Sequence, residues 1–503
     1  MIIARIRKLV FRSQSQRRIL AELAFLVLLV AAAFLLRLWP ISRGHFWDEA
    51  VYLQDAEVIC CGKINYSELD SRPPLLSLLF SAMFLVWHSA IAANIATALL
   101  NALGPVFLYL GGRVFLRRAA AALASLLLAC LPFFVGVFGD ATGNTLLSDS
   151  PALTLILLSF WLLLRALHKQ TDLRFASAGF VLGLAVLMRF PSLASVAVLL
   201  PLVHGASRWW RAALACGTGF AAAVGPYLCW SRLRYGGFLT TFRNGWSNFE
   251  GPGEPFLYYV NNFTRVFTWL TVTGLVLWIL ERLWKGRGRK RRPIATAVPS
   301  ERGPSANLDA FLWFWAAAIL LSFSSVHHKE TRYILPLAPP LLLLAGSGLS
   351  VLLRGRGMMV RTAGIAMLAG SLLYTFLFSF ARLRSPLINE ENSEEMDVAN
   401  FLNITVPPGT VLYANFNYPV FAYYTNFPVY RLPEEPSEIY DALNHLPTDG
   451  LLIAYKDNKF IEDPRLDWLD ANRHFQRWRA FPSLLIYRYS PAQAEVVSAN
   501  HGP

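Results

Sequence analysis

Leu20-Ala-Glu-Leu-Ala-Phe-Leu-Val-Leu-Leu-Val-Ala-Ala-Ala-Phe-Leu-Leu-Arg-Leu-Trp-Pro40, followed within a few residues by His45-Phe-Trp-Asp48-Glu49, decides the fold class. An apolar run of this length matches a bilayer core, which a helix crosses in about 20 residues. The 18 residues before it carry Arg5, Arg7, Lys8, Arg12, Arg17 and Arg18 and no acid. That charge bias places the N-terminus in the cytoplasm, and the segment is too extended for a cleaved signal peptide.

Outward from this run the same character continues. The chain has 503 residues, 55% hydrophobic and 16% charged, and its mean hydropathy is +0.41. A water-soluble globule of this size needs far less apolar sequence, so the chain reads as a polytopic α-helical membrane protein. Eleven stretches qualify as spans: about 20–40, 91–113, 119–138, 150–166, 173–188, 190–204, 211–230, 263–284, 309–325, 333–352 and 358–381. Arg117/Arg118, Arg165/Lys169, Arg208/Arg211, Lys285 to Arg292 and Arg354/Arg356 then fall on every second loop, as the positive-inside rule requires. This holds only if Pro74 to Trp87 is an interfacial or re-entrant helix; counted as a span, it would invert every later loop. The expected organisation is a membrane domain over 1–384, with a first outer loop at 41–90 and a Gly/Arg/Pro/Ser-rich cytoplasmic linker at 285–308, then an outer domain over 385–503.

Charge separates the two parts. The tail holds 16 acids and 8 bases, leaving 38 bases and 16 acids in residues 1–384. Basic residues spread between apolar runs are explained by cytoplasmic loops, whereas nucleic-acid binding would gather them on one soluble face, so nucleic acid is excluded as a partner. In the tail, Thr410–Tyr413, Phe421–Tyr424, Leu451–Tyr455 and Leu484–Tyr489 read as strands, and 393–403, 436–445 and 465–474 as helices: a small α/β domain. Cys60, Cys61, Cys130, Cys216 and Cys229 form no CxxC and no zinc-knuckle spacing, so neither a disulfide scaffold nor thiol redox chemistry is expected.

Four constellations carry chemistry on the expected outer face. Asp48-Glu49 are adjacent carboxylates at a membrane surface, suited to a cation, a substrate hydroxyl or general-base work; a solvated acidic loop is the plainer reading. Arg72-Pro-Pro-Leu75 sets a guanidinium before a proline-started helix, where it holds a phosphate or merely snorkels. Asp149 precedes Pro151 at the start of a span and is a candidate N-cap as well as a site residue. His327-His328-Lys329-Glu330-Thr331-Arg332-Tyr333 packs ionisable groups between two spans on the side where Lys and Arg are disfavoured. Lys329 and Arg332 suit a leaving phosphate, with His328 donating to it; lipid-headgroup anchoring is the alternative. Trp246, Phe249, Tyr258 and Tyr259 cover the site or, more simply, form an interfacial belt.

At these residues the chain resembles the GT-C membrane glycosyltransferases that use polyprenyl-phosphate sugars, in the branch of the dolichyl-phosphate-mannose protein mannosyltransferases and the lipid A aminoarabinose transferase. Asp48-Glu49 after the first span, Arg72-Pro-Pro-Leu75, the aspartate before the fourth span and the outer tail carry that likeness. His328-Lys-Glu-Thr-Arg-Tyr333 is similar to the His-Lys-Glu-x-Arg-Phe signature of lipid-linked-oligosaccharide and GPI mannosyltransferases, although the Phe-Trp-Asp-Glu of the first loop departs from that group's His-Pro-Asp-Glu. The resemblance implies inverting transfer of a sugar from a polyprenyl-phosphate donor to a hydroxyl of a glycolipid, protein or polysaccharide, at the outer face of a bacterial inner membrane with the C-terminus outside. It gives Asp48 the role of base and has Glu49 and Asp149 shape the acceptor site. It sets Arg72, His328, Lys329 and Arg332 on the phosphate, and makes Asp48 and Asp149 ligands of any divalent cation, Mg²⁺, Mn²⁺ or Zn²⁺. The competing class is a polyprenyl-lipid or glycolipid flippase, which would place ionisable groups at span centres, and a third is a scaffold whose tail binds partners.

Overall fold

The computed structural model describes residues 2–38, 47–63, 66–131, 134, 146–247, 253–288, 305–354, 358–383, 393–414, 416–433, 436–456 and 466–491. His45, Phe249 and most of the 285–308 linker lie outside them. The chain forms two compact units, one of Met1–Pro40, Asp70–Leu75 and Asn94–Ser385, the other of Ile41–Leu69, Leu76–Ala93 and Pro386–Pro503.

The first unit is helical. Among the described residues five helices are long and apolar enough to cross a membrane: Ile19–Leu38, Ala90–Gly112, Asp149–Lys169, Trp209–Tyr235 and Thr331–Arg354. In Ile19–Leu38 only 17% of the most apolar stretch is buried within the protein, although its mean hydropathy is 2.8. Leu20, Leu23, Val27, Leu28 and Leu35 stand exposed along it, which a lipid solvent tolerates and water does not. Other expected spans are shorter or broken. The 190–204 stretch is divided into Phe190–Ser192, Leu193–Leu199 and Leu200–Gly205, because Pro191 and Pro201 lack the amide hydrogen a continuous helix needs. Pro74–Phe84 has 11 residues, too short to cross a bilayer, as the interfacial reading required.

The first unit's core is close-packed helix on helix. Lipid tails are as apolar as leucine, so helices in a bilayer associate through small residues that let backbones approach. Helix Asp172–Met188 meets Trp209–Tyr235 in this way: a Cβ on Gly179 would lie 1.9 Å from the Cys216 carbonyl oxygen, and one on Gly219 1.9 Å from that of Ala176. Leu153, Phe160, Trp315, Leu342 and their neighbours fill the remaining interior.

The second unit's tail is a three-layer α/β/α domain. Its strands β1 (Val411–Ala414), β2 (Val429–Arg431), β3 (Gly450–Tyr455), β4 (Phe475–Ala480) and β5 (Leu484–Tyr489) lie in the order β2-β1-β3-β5-β4. β1 is parallel to β2 and β3, whereas β5 is antiparallel to β3 and β4. Alternation sends Leu412, Ala414, Leu451, Ile453, Leu484 and Ile486 to one face, beneath Leu402 and Phe421. It sends Tyr413, Leu452, Leu485 and Tyr487 to the other, beneath Ile439, Leu443 and Leu469.

One expectation needs correction here. Phe421–Tyr424 is not a strand but the end of helix Tyr418–Tyr424, started by Pro419. Cys60 and Cys61, excluded above only from a disulfide scaffold, form one disulfide at the end of helix Trp47–Cys61; no spacing rule for separated cysteines covers an adjacent pair.

Candidate functional site

Asp48 and Glu49 form the first turn of helix Trp47–Cys61, where the helix dipole favours negative charge. Both are buried, at 8% and 5% exposure, so they are not part of a solvated loop. The other acids of this loop hold the second unit together. Asp55 Oδ1 accepts from Ser67 Oγ at 2.9 Å and from the Glu68 amide at 3.0 Å, and Glu68 accepts from the Tyr66 hydroxyl at 2.6 Å. Glu57 pairs with Lys63 at 2.7 Å and with His88 at 3.2 Å. Lys63 continues to the Tyr423 carbonyl at 2.8 Å. Much of the acidity that stood out in the sequence is therefore internal bonding.

The remaining expected residues belong to the first unit. Asp149 is the first residue of helix Asp149–Lys169, but Ser148 occupies the cap position. The Asp149 carboxylate is ion-paired to Arg189 and almost fully buried. Arg189 sits at the break between helix Asp172–Met188 and the turn Phe190–Ser192, where extended backbone frees its side chain from the helix. Its guanidinium lies 4.9 Å from the Tyr333 ring centre, and the hydroxyl of the same Tyr333 donates to Glu330 at 2.8 Å.

Glu330 is the hub of the His-His-Lys-Glu-Thr-Arg segment. One oxygen accepts from Arg332 Nη2 at 2.9 Å and contacts His328 Nε2 at 3.2 Å, and the other pairs with Arg332 Nε. Burial alone would raise the Glu330 pKa, yet the Arg332 charge and the hydrogen bonds from His328, Arg332 and Tyr333 hold it well below the usual carboxylate range. In return the hydrogen bond to Glu330 raises the His328 pKa against the opposing effect of burial. Lys329 differs: it is 5% exposed and donates to the Glu254 carbonyl at 2.7 Å, while the Glu254 amide donates to the His327 carbonyl at 3.0 Å. It pins two loops together.

Beside this network lies a cavity of about 990 Å³ lined by Phe190–Ala194, Gly237–Trp246 and Ser322–Val326 residues and mostly apolar. Two of its walls run in sequence straight into charge, Phe190 following Arg189 and Val326 preceding His327. The Arg72 segment lies against it as well. Leu75 packs with Phe190 and Phe242, and Gly245 sits so near the Ser71 carbonyl that a Cβ there would come to 2.6 Å. Trp246 lines this cavity while remaining 58% exposed, whereas Tyr259 is 1% exposed and so lies outside any interfacial belt. Among the described residues no three His, Cys, Asp or Glu side chains gather as for a metal ion, and Asp149 is held by Arg189.

Sequence reasoning placed Asp149, His328 and Arg332 at one site but missed the groups that join them, Arg189, Glu330 and Tyr333. A lone arginine between two apolar stretches was the available signal for Arg189.

Residues 71–230, less than half of the chain, match the family model of the dolichyl-phosphate-mannose-protein mannosyltransferases. No curated protein matches the sequence. Among solved structures, ArnT from Cupriavidus metallidurans bound to undecaprenyl phosphate aligns over 93% of this chain and 99% of its own, with a TM-score of 0.65 and 15% identity. The Archaeoglobus fulgidus oligosaccharyltransferase in the apo form aligns over 86% of this chain and 69% of its own, with a TM-score of 0.58 and 12% identity. The same organism's AglB, in complex with an inhibitory peptide and a dolichol-phosphate, aligns over the same shares at 14% identity and a TM-score of 0.58. At such identities the likeness is one of fold. The chain is an integral membrane protein with the GT-C fold and a small C-terminal α/β domain, and it resembles the protein mannosyltransferase and ArnT family, as its Asp48-Glu49 and Arg72-Pro-Pro-Leu75 patterns led one to expect.

Proposed function

We propose that this protein is an inverting glycosyltransferase that moves a sugar from a polyprenyl-phosphate donor to a hydroxyl of a glycolipid, protein or cell-envelope polymer, at the outer face of a bacterial inner membrane. The observation that carries the reading is the cavity of about 990 Å³, whose apolar walls run into Arg189 and into His327–Arg332. An apolar slot lined by Arg243, with walls that continue in sequence into Arg189 and His327, suits an amphiphile with a long chain and an anionic head. ArnT was solved with undecaprenyl phosphate and AglB with a dolichol-phosphate, which agrees with a lipid-linked donor.

In this reading the acceptor hydroxyl attacks the anomeric carbon, its proton passes to Asp48, and the bond to the phosphate oxygen breaks as the polyprenyl phosphate departs. Asp48 and Glu49 are buried in the first turn of their helix, and a carboxylate within hydrogen-bond reach of the acceptor hydroxyl can take its proton. Arg332 and His328 stabilise the charge growing on the phosphate, and Arg72 adds a further cation. Lys329, already bonded to the Glu254 carbonyl, positions the His327–Arg332 loop. The N-terminus is cytoplasmic and the C-terminal domain extracytoplasmic.

The test is transfer of radiolabelled sugar from a panel of polyprenyl-phosphate hexoses and pentoses by the purified chain in nanodiscs, with membrane extract as acceptor. Asp48→Asn is expected to fold normally and to lose transfer. Equal transfer by both proteins would remove Asp48 as base, and silence from a folded wild type would remove the transferase reading.

A further inference from the structure

We infer that Glu330 is a built-in substitute for the donor phosphate, an internal anion that occupies Arg332 and His328 until a lipid phosphate displaces it and that returns to expel the spent carrier. The inference rests on the reading of this site as a lipid-phosphate site and adds the device that sets its affinity. A carboxylate and a phosphate are alike as anionic partners of a guanidinium, and Glu330 accepts a hydrogen bond from Arg332 Nη2 with one oxygen and makes an ion pair with Nε through the other. The same carboxylate takes His328 and the Tyr333 hydroxyl, so the donors suited to a phosphate converge on it. Arg332 has a side chain only 11% exposed. Removing an anion from so buried a guanidinium is costly, so an occupant such as Glu330 lowers the cost of holding the site before its ligand arrives.

Two neighbouring observations agree. The Tyr259 hydroxyl is buried and has no hydrogen-bond partner among the described residues, and its phenol feels both Arg189 and Glu330. A buried donor without an acceptor is what a phosphate oxygen, or the displaced carboxylate, would fill. Lys329 takes no part in the exchange, because its ammonium is held by a backbone carbonyl. Arg332 and His328 are therefore the exchangeable donors, and Glu330 is a positioning residue that weakens phosphate binding.

The full chain in nanodiscs is titrated with undecaprenyl phosphate as wild type, Glu330→Gln, Glu330→Asp and Arg332→Gln, reading affinity and dissociation rate by native mass spectrometry and competition. Glu330→Gln is expected to bind on the order of tenfold tighter than wild type and to release the lipid correspondingly more slowly, because the internal competitor is gone. Arg332→Gln is expected to bind more weakly. Glu330→Asp serves where the glutamine variant does not fold: its shorter carboxylate cannot span Arg332 and His328 together, so it too should bind tighter. Unchanged or weaker binding by folded Glu330 variants would overturn the inference. Inorganic phosphate, lacking a chain for the apolar cavity, is expected to show the same ranking at much lower affinity, and a different ranking would count against a headgroup effect. Absence of binding by the wild type itself is a separate outcome that removes the lipid-phosphate reading and this inference together.

Discussion

Replacing Glu330 by glutamine strips the negative charge from a carboxylate that serves Arg332, His328 and Tyr333 at once. The glutamine keeps one carbonyl oxygen, enough for Arg332 Nη2, but turns an amide N–H toward the donor Arg332 Nε that Glu330 now pairs with. Breaking a buried ion pair from one side costs about 3–5 kcal/mol, and the retained oxygen and the 24% exposure of the Glu330 side chain reduce this to about 2–4 kcal/mol. Removing both charges in Glu330→Gln/Arg332→Gln leaves no stranded cation, so the double variant should be more stable than the sum of the singles by roughly 1.5–3 kcal/mol. The assay is reversible unfolding by SDS titration in mixed micelles, read by tryptophan fluorescence across the four proteins of the cycle. A single-variant loss below about 1 kcal/mol, or strict additivity in the cycle, would refute the hub role assigned to Glu330.

Other expectations follow from the same geometry. Arg189→Met leaves the buried Asp149 carboxylate without its guanidinium and should cost about 3–5 kcal/mol in the same titration, most of it recovered by a second change, Asp149→Asn. Gly219→Val should destabilise the helix pair by at least about 1–3 kcal/mol, since even a Cβ would collide with the Ala176 carbonyl; a loss near zero would mean that the helices can separate freely. His328 has a raised pKa in the folded chain, so its contribution is fully present below its unfolded value of about 6.5 and is lost as pH rises through the folded value. The stability difference between wild type and His328→Gln should therefore be largest on the acid side of neutrality and shrink in alkali; the opposite trend would contradict the His328–Glu330 bond. Gly245→Ala should disturb the cavity wall against Ser71 and Phe190, lowering polyprenyl-phosphate affinity, and unchanged affinity would show that this wall plays no part in binding.

The amino-acid sequence by itself determined the solvent of this protein and the outline of its chain. Apolar runs of bilayer length, an N-terminal basic cluster and an acidic tail are properties of composition along the chain, and each follows from the cost of taking charge into hydrocarbon. The run Pro74 to Trp87 was read as interfacial because counting it as a span would invert every later loop, and the helix that forms there, Pro74–Phe84, has 11 residues. In the tail the central strands β1, β3 and β5 were legible because both of their faces are buried and their runs are apolar. The edge strands β2 and β4 were not, since Tyr430, Arg431, Gln476, Arg477 and Arg479 are exposed and leave no apolar run to read. Only the tertiary structure decided which ionisable residues serve one another. Asp149 and Arg189, or Glu254 and Lys329, are far apart in sequence and joined by packing. Pairing depends on side-chain distances of a few ångströms, which local propensity and periodicity do not encode. His328, Lys329 and Arg332, which the sequence set together on a phosphate, are divided by the fold: His328 and Arg332 are held on the Glu330 carboxylate, and Lys329 on the Glu254 carbonyl of another loop.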